Sequence, residues 1–389
     1  MASVPNTVFP KALDSRVAAI SGGTLPPLLP AGQYGYIPGL DGLRALAVLI
    51  VMVAHFELTH LVPGGFGVTV FFFISGFLIT RLLLAEHEKK GRIGLRDFYT
   101  RRIIRLYPAL LFMVLGSSVL FLGLGIGGPS RGELLAATFY VTNAYQLGVT
   151  SGAAEPFMSW THLWSLAVEE HFYLVFPAVL MALGPTKRRT IFVMYAVLLI
   201  IPMWRAALAA LLSPEMAGTY TYMMTDARMD SLLWGCLLSL LLHHADGREA
   251  LKRLVGWVPV GAACGLILLT LLFRDESFRM VSRYTLQGVA LLVLTLNLYF
   301  LRHLRFALDI LEWRPLARIG VLSYALYLWH FPIFDVAVRY MDGAILQAGV
   351  AFIATYLVAE FSYRCVEAPF VALRKRFGAH IVKPGALKA

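Results

Sequence analysis

The sequence contains few charged residues. Only 15% of its 389 residues are Asp, Glu, Lys or Arg, whereas 58% are hydrophobic. Soluble globular domains contain about 25% charged residues, and disordered chains are poor in hydrophobic ones. The composition therefore excludes an ordinary soluble domain and a disordered chain, and it indicates a polytopic membrane protein built from helices.

Cysteine is also scarce. The three cysteines lie within or at the end of apolar stretches and show no metal-ligand spacing: Cys236, Cys264 and Cys365. This pattern argues against a disulfide framework and against a zinc site, so we predict that all three are small packing residues. We expect neither a bound metal nor a permanently bound cofactor.

The chain lacks long polar stretches. The longest polar connection between apolar runs has only about 20 residues, which is too short for a separate soluble domain. We therefore expect one membrane domain over residues 38–377, a flexible cytoplasmic tail over 1–37, and a second cytoplasmic tail over 378–389. The first tail lacks the layout of a signal peptide, so the first span is predicted to be an uncleaved signal anchor.

Apolar runs of membrane-spanning length are abundant instead. Ten are predicted, at residues 43–61, 66–85, 106–126, 162–183, 191–212, 228–244, 255–273, 284–301, 320–339 and 346–364. The segment 133–148 is short and contains three interrupting polar residues, so we predict that it is re-entrant or lies at the outer surface. The predicted fold class is thus an all-α bundle of about ten transmembrane helices plus this segment.

Positive charge is concentrated in short loops. The formal net charge is +11, and basic residues cluster at 89–105, 187–189, 302–318 and 374–376. The positive-inside rule places such loops in the cytoplasm, and ten spans put all of them on that side. We therefore attribute the charge to topology in a bacterial inner membrane, with both termini cytoplasmic, and expect the lipid bilayer rather than nucleic acid as a partner.

The first span carries an arginine and a histidine on one predicted helix face. Arg44 and His55 are eleven residues apart, which corresponds to three turns plus roughly 20° and to a rise of about 16 Å. The histidine would lie deep in the hydrocarbon layer, where a polar side chain is costly. A snorkelling arginine and a hydrogen-bonded structural histidine are the alternatives, but we favour a functional His55 because imidazole titrates near neutral pH.

The fourth span contains two adjacent acids among apolar residues. Glu169 and Glu170 must each pair with a cation, take up a proton or line a wet cavity. Intervals of three and four residues place four polar side chains on one helical stripe, namely His162, Ser165, Glu169 and Tyr173. We predict that this stripe faces His55.

Several arginines near the predicted cytoplasmic side could bind anions. Arg101 and Arg105, in the stretch RRIIRLYP, are four residues apart and share a helix face. Such a fork suits phosphate groups, and Arg102 could join it. Arg81, at the inner end of the second span, could face an anionic ligand from the same side. Membrane topology also explains this charge.

Three further polar groups allow a structural or a functional interpretation. Ser75, next to Gly76 in the second span, favours close helix packing. Arg228 could form an internal ion pair with Asp226 or Asp230, or it could contact a substrate. One face of the ninth span is predicted to carry Ser323, Tyr327 and His330, with Tyr324 adjacent. These residues could anchor the helix or contact an acceptor.

Seven stretches occur in a recognisable order over residues 39–377. They are GLDGLRALAVLIVMVAHF, FFFISGFLIT, FYTRRIIRLYP, SLAVEEHFY, ARMDSLLWG, SYALYLWHFP and VEAPFVALRKR. Together they make the sequence similar to the acyltransferase type 3 family of bacterial membrane proteins. Arg44 and His55 match the arginine–ten residues–histidine pattern of that family's proposed catalytic pair.

The resemblance implies transfer of an acyl group, expected to be acetyl, from cytoplasmic acyl-CoA to a hydroxyl. Acceptors in such a family include lipopolysaccharide O-antigen, peptidoglycan, exopolysaccharide and other surface glycans, lipid-linked saccharides, and sugars of macrolide antibiotics. Some relatives also carry a periplasmic SGNH esterase-like domain, which residues 1–389 do not include.

Ester formation from a thioester needs a base for the hydroxyl and stabilisation of the developing oxyanion. We predict that His55 is this base, directly or through an acyl-histidine, with Glu169 or Glu170 orienting its ring. The CoA phosphates are predicted to contact Arg44, Arg81, Arg101, Arg102 and Arg105. Acceptor contacts or structural roles are predicted for Ser75, His162, Ser165, Tyr173, Arg228, Asp230, Tyr327 and His330.

A proton-coupled transporter or flippase is the alternative, in which His55 and Glu169 relay protons or bind cargo. The absence of a clear internal repeat weakens this interpretation. A membrane scaffold without chemistry is disfavoured by the polar stripe in the fourth span.

Overall fold

The computed structural model describes residues 25, 36–58, 63–155 and 160–370, and every regular element in those ranges is a helix. The predicted tails fall almost entirely outside these residues. Of the N-terminal tail, Leu25 is buried, and Tyr36 donates a hydrogen bond to Glu312 at 2.6 Å. The all-helical prediction is confirmed for the described part of the chain.

The helices are numbered in chain order. They are α1 Leu40–Val53, α2 Gly64–Lys90, α3 Leu95–Gly123, α4 Arg131–Thr138, α5 Thr142–Thr150, α6 Trp164–Leu183, α7 Arg188–Leu211, α8 Pro214–Met223, α9 Thr225–Arg228, α10 Asp230–His243, α11 Ala245–Lys252, α12 Trp257–Leu272, α13 Glu276–Val281, α14 Arg283–Phe300, α15 Arg305–Leu311, α16 Arg314–Tyr340 and α17 Ala344–Ser362. α1 continues into a π-helical turn, Ala54–Leu58, and a 3₁₀ turn, Thr161–Leu163, precedes α6.

Each predicted span coincides with a helix, but the helices differ in length. Within the described residues, six are long and apolar enough to cross a membrane, or up to eight if two bent pairs each count as one span. The bend between α11 and α12 is 83°, and the bend between α14 and the segment Arg302–Leu311, which contains α15, is 92°. α1 and α10 have only 14 residues each. The chain is therefore a multi-pass membrane protein, and the count of about ten stays a prediction.

The segment 133–148 does not form one continuous helix. It falls on α4 and α5, and between them Tyr140 adopts a left-handed backbone conformation with φ of 55°. Ser130 and Glu133 form a reciprocal capping box that starts α4. Two such short helices agree with the prediction that this segment does not span the bilayer.

Glycines bring the central helices into close contact. A Cβ on Gly76 of α2 would lie 1.9 Å from the Leu232 carbonyl oxygen, and one on Gly235 of α10 would lie 2.0 Å from that of Phe73. A Cβ on Gly320 of α16 would lie 1.8 Å from the Asp41 carbonyl oxygen at the start of α1. The predicted packing role of the Ser75–Gly76 pair is thus confirmed for Gly76, and α1 is held directly beside α16.

Gly320→Ala is expected to destabilise the bundle, because the added methyl would overlap the backbone of α1. Overpacking of this kind costs about 1–3 kcal/mol. Thermal unfolding in detergent measures the effect. Gly349→Ala is the matched control, since nothing lies within 4 Å of a Cβ at this position of α17; equal melting temperatures for the two variants would contradict the packing argument.

Candidate active site

Three histidines from separate parts of the chain meet at one end of α1. His55 lies in the π-helical turn that continues α1, His330 in α16, and His162 in the 3₁₀ turn before α6. Nδ1 of His55 and Nε2 of His330 are 2.8 Å apart, and the ring centres of His162 and His330 are 5.0 Å apart. His55 is partly exposed, whereas His330 and His162 are buried. π-helical turns occur frequently at functional sites, and here one carries His55.

A basic cavity lies beside this histidine cluster, nearer the start of α1. Its empty volume, with the open solvent at its mouth included, is about 520 Å³, and it is lined by Arg44 of α1, Arg102 and Arg105 of α3, and Glu169 and Glu170 of α6. Arg102 and Arg105 are three residues apart, so α3 presents both to the same side. The cavity therefore carries three guanidinium groups against two carboxyl groups, a balance that suits an anionic ligand.

A second, more apolar part of the cavity continues toward the histidines. Its empty volume, again with open solvent included, is about 430 Å³; it shares Arg44 and Glu169 with the basic part and adds Phe71, Phe72 and Tyr327. The predicted residues Ser75 and Ser165 also line it. A long ligand could thus place a charged end against the arginines and an apolar end against the phenylalanines.

Tyr327 and Ser165 contact both the cavity and the histidine cluster. Their hydroxyl groups are 2.6 Å apart, and the Tyr327 hydroxyl also donates to the carbonyl oxygen of His162 at 2.7 Å. The Tyr327 ring centre is 5.4 Å from that of His330. Both residues line the cavity, so this hydrogen-bonded pair links the cavity lining to the histidine cluster.

The prediction that Glu169 or Glu170 orients His55 is wrong. The imidazole of His55 is hydrogen-bonded to His330, while the Glu169 carboxylate accepts a hydrogen bond from Tyr173. Glu170 lines the basic cavity with the arginines. The reason is the length of the polar stripe: its first residues reach the histidines, but Glu169 lies seven residues beyond His162, about 10 Å further along the helix.

The predicted arginine fork needs a similar correction. Arg101 does not line the cavity; it forms an ion pair at 3.0 Å with Glu86, a carboxylate that is only 1% exposed. Arg102 takes its place in the cavity, with its guanidinium 4.0 Å from the centre of the Tyr173 ring. Arg81 also lies outside the cavity, close enough to His243 for the charges of the two side chains to interact.

Arg228 and Asp230 do not form the predicted ion pair. Asp230 pairs with Arg205 at 2.9 Å, and all three side chains are fully buried. Arg228 instead lies over the Tyr284 ring at 3.6 Å and donates to the Thr69 hydroxyl at 3.3 Å. Arg205 was missed because it lies inside an apolar run, although an arginine in such a run is itself a signal of a buried partner.

Asp226, the other predicted partner of Arg228, is hydrogen-bonded to a different set of side chains. It accepts hydrogen bonds from the Trp204 indole at 2.7 Å and from the Tyr220 hydroxyl at 3.0 Å. Burial, together with this carboxylate, raises the pKa of Tyr220 to about 12. The Tyr220 hydroxyl therefore stays protonated and donates to Asp226 at neutral pH.

Asp230→Asn is expected to lower the free energy of unfolding strongly, because it leaves the buried Arg205 guanidinium without its counter-charge. Breaking a buried pair from one side costs about 3–5 kcal/mol. Thermal unfolding of the purified protein measures this. The matched control is Asp246→Asn, which removes a pair with Arg188 on the exposed surface, where ion pairs contribute little; similar effects of both changes would contradict the argument.

The described residues contain no group of three or more His, Cys, Asp or Glu side chains arranged to hold a metal ion.

The prediction for the cysteines holds only in part. Cys236 is buried against the carbonyl oxygen of Gly76 at 3.4 Å, but Cys264 and Cys365 are exposed.

The sequence is similar to known proteins over most of its length. A family model described as "Acyltransferase domain" matches residues 37–363. "Putative O-acetyltransferase SACOL0978" of Staphylococcus aureus (strain COL) is 36% identical over 354 residues, which are 86% of this chain and 57% of that protein. "O-acetyltransferase OatA" of S. aureus (strain NCTC 8325 / PS 47) is 34% identical over 357 residues, which again are 86% of this chain and 57% of that protein.

The chain spans a little over half the length of these relatives. No solved structure matches it. The family model, however, covers most of the chain, including Arg44, the arginines of α3, and all three clustered histidines. The chain therefore belongs to the acyltransferase type 3 family of membrane proteins.

Proposed function

We propose that the protein is an O-acyltransferase that moves an acetyl group from cytoplasmic acyl-CoA to a hydroxyl of a sugar or glycan. The observation that carries the proposal is the position of His55 next to a cavity lined by Arg44, Arg102 and Arg105. The family supports acyl transfer, and the names of the relatives support acetyl as the group. The shape and charge of the cavity support CoA as its carrier.

CoA carries phosphates at one end and a thioester at the other. The basic part of the cavity would hold the phosphates through Arg102 and Arg105, because guanidinium groups bind phosphate oxygens in pairs. The apolar part would hold the thioester arm and the acyl group against Phe71 and Phe72. Arg44 lines both parts, so it would contact the middle of the ligand.

His55 would act as general base. It takes the proton of the acceptor hydroxyl at Nε2, the hydroxyl oxygen attacks the thioester carbon, and the C–S bond breaks. The protonated ring then gives its proton to the leaving CoA thiolate, so no net proton is consumed. Transfer through an acyl-histidine is the second route with the same balance, and in it the acyl group first bonds to Nε2. Tyr327 lines the cavity and contacts His330, so in either route the thioester would pass the Tyr327–Ser165 pair on its way to His55.

The direction of approach follows from the distribution of charge. The basic loops favour a bacterial inner membrane with cytoplasmic termini, which would open the arginine-lined end toward cytoplasmic acyl-CoA. The partly exposed His55 would then lie toward the outer side, where glycans such as peptidoglycan, lipopolysaccharide O-antigen or exopolysaccharide occur. Lipid-linked saccharides and glycosylated small molecules are acceptors of the same chemistry.

Mass spectrometry of surface glycans and small metabolites, compared between a deletion strain and its parent, tests the proposal. Loss of an acetyl mass from one glycan, restored by the wild-type gene and not by a His55→Ala gene, is the expected result. An unchanged set of acylated products would contradict acyl transfer. Transport of a species without consumption of acyl-CoA by the purified protein would instead favour the transporter.

A further inference from the structure

The interaction between His55 and His330 carries a further inference. We propose that His330 is a positioning residue that fixes which nitrogen of His55 carries the proton and so leaves Nε2 of His55 free to act as the base. This inference rests on the proposed function of His55. In this arrangement a neutral imidazole stands where a carboxylate usually orients a catalytic histidine.

The first step is the geometry of the hydrogen bond. Nδ1 of His55 and Nε2 of His330 are 2.8 Å apart, the ring centres are 5.1 Å apart, and the ring planes differ by only 13°. Nitrogens of rings so far apart can approach this closely only if both lie on the line joining the ring centres. The rings therefore meet edge to edge in nearly one plane, and the lone pair of one nitrogen points at the N–H of the other.

The second step is the direction of that hydrogen bond. Nδ1 of His330 is 2.7 Å from the carbonyl oxygen of Tyr327, one turn earlier in α16. A carbonyl oxygen only accepts, so Nδ1 of His330 carries the hydrogen. A neutral imidazole has one N–H, which makes Nε2 of His330 an acceptor. Nδ1 of His55 must therefore donate, and the lone pair of His55 lies on Nε2.

The third step is the protection of this arrangement. His330 is completely buried, and the other titratable rings that face it are His162, from the 3₁₀ turn, and Tyr327, from its own helix. Nε2 of His162 is 3.2 Å from the Leu328 carbonyl oxygen, and the Tyr327 hydroxyl donates to the His162 carbonyl oxygen. Both neighbours are thus held by backbone acceptors, and neither competes with His55 for Nε2 of His330.

The choice of a neutral partner has a physical reason. A buried carboxylate in this apolar setting would carry a large desolvation penalty. An imidazole acceptor avoids that penalty while His55 is neutral. When His55 takes up a proton, the same hydrogen bond becomes charge-assisted and stronger. The stabilisation thus grows as charge develops, which is what catalysis requires.

Three substitutions separate positioning from mere packing. His330→Gln places a carbonyl oxygen near the former Nε2 and can still accept from His55, whereas His330→Asn is too short to reach it. His330→Leu fills the volume without an acceptor. We expect kcat for acetyl transfer to fall roughly 10²- to 10⁴-fold in the Asn and Leu variants and clearly less in the Gln variant. KM for acetyl-CoA should stay unchanged, because His330 does not line the cavity.

A spectroscopic readout keeps the inference testable apart from activity. Nitrogen-15 NMR of histidine-labelled wild-type protein, with His55 assigned by comparison with His55→Ala, should show His55 protonated at Nδ1. In His330→Leu this signature should be lost. Protonation of wild-type His55 at Nε2 would overturn the inference even if every His330 variant failed to fold.

The kinetic outcomes are also decisive. If the Leu and Asn variants keep the kcat of the wild type, the positioning role is overturned. The same holds if the Gln and Asn variants lose equal fractions of kcat. Both results would leave acyl transfer by His55 intact. If wild-type protein does not consume acetyl-CoA, the proposed function itself fails, and the two failures are thereby distinguished.

Discussion

Purified protein carrying His55→Ala is expected to lose acetyl transfer by about 10³-fold or more, since removal of a general base costs 10²- to 10⁴-fold and removal of an acyl-carrying nucleophile costs at least as much. Binding of acetyl-CoA should persist, because His55 is not among the residues that line either part of the cavity. The measurement pairs a transfer assay in detergent or nanodiscs with a binding isotherm for acetyl-CoA on the same sample.

The control for this result is His303→Ala, which removes an exposed histidine from the turn before α15. It should behave as wild type in both assays. Full transfer by His55→Ala would exclude His55 as base and as acyl carrier. Loss of acetyl-CoA binding together with transfer would show that the change has disturbed the fold, and His55→Gln would then replace it as the test.

Replacement of both Arg102 and Arg105 by Gln is expected to raise KM for acetyl-CoA strongly. A hydrogen bond to a charged group contributes about 1.5–3 kcal/mol, so each arginine should contribute roughly a 10- to 100-fold change. The value of kcat should change little, because both residues lie in the basic part of the cavity, away from the histidines. Wild-type KM should also rise with ionic strength, as expected for a charged ligand.

Arg96→Gln is the matched control for this pair. It removes one positive charge from an exposed position of α3, two turns before the cavity. An equal rise of KM in Arg96→Gln would show that the overall charge of this region matters rather than the cavity. An unchanged KM in the double variant would remove the arginines of α3 from the CoA site.

The sequence predicted the features that depend on one helix. The eleven-residue spacing predicts one helix face for Arg44 and His55, and this stays a prediction, because His55 lies in the π-helical turn after α1 and contacts α16 while Arg44 lines the cavity. The spacing of Tyr327 and His330 predicts that both lie on one side of α16, and in the structure their ring centres are 5.4 Å apart. Such predictions succeed because helical geometry is local and is known before the fold is.

Features that depend on several helices could not be predicted in the same way. The sequence predicts Glu169 or Glu170 as the partner of His55 because carboxylates commonly orient imidazoles, but the position of α16 decides the partner, and it supplies His330. The choice between Arg101 and Arg102 depended on how α3 is rotated, and Glu86 of α2 captures Arg101. Both outcomes follow from tertiary packing, which spacing along one chain segment does not contain.

The hydrogen-bonded pair of Tyr327 and Ser165 also bears on the leakage of protons across the membrane. A protein that takes one substrate from each side of an energised membrane joins two water-accessible spaces, and an open passage between them would let protons flow down their gradient. Under the proposed function, the hydrogen bond between the Tyr327 and Ser165 hydroxyl groups would narrow such a passage between turnovers. If donor and acceptor come from opposite sides, as proposed, the resting protein would limit proton leakage, and the thioester arm would occupy the space of the hydrogen-bonded pair when it binds.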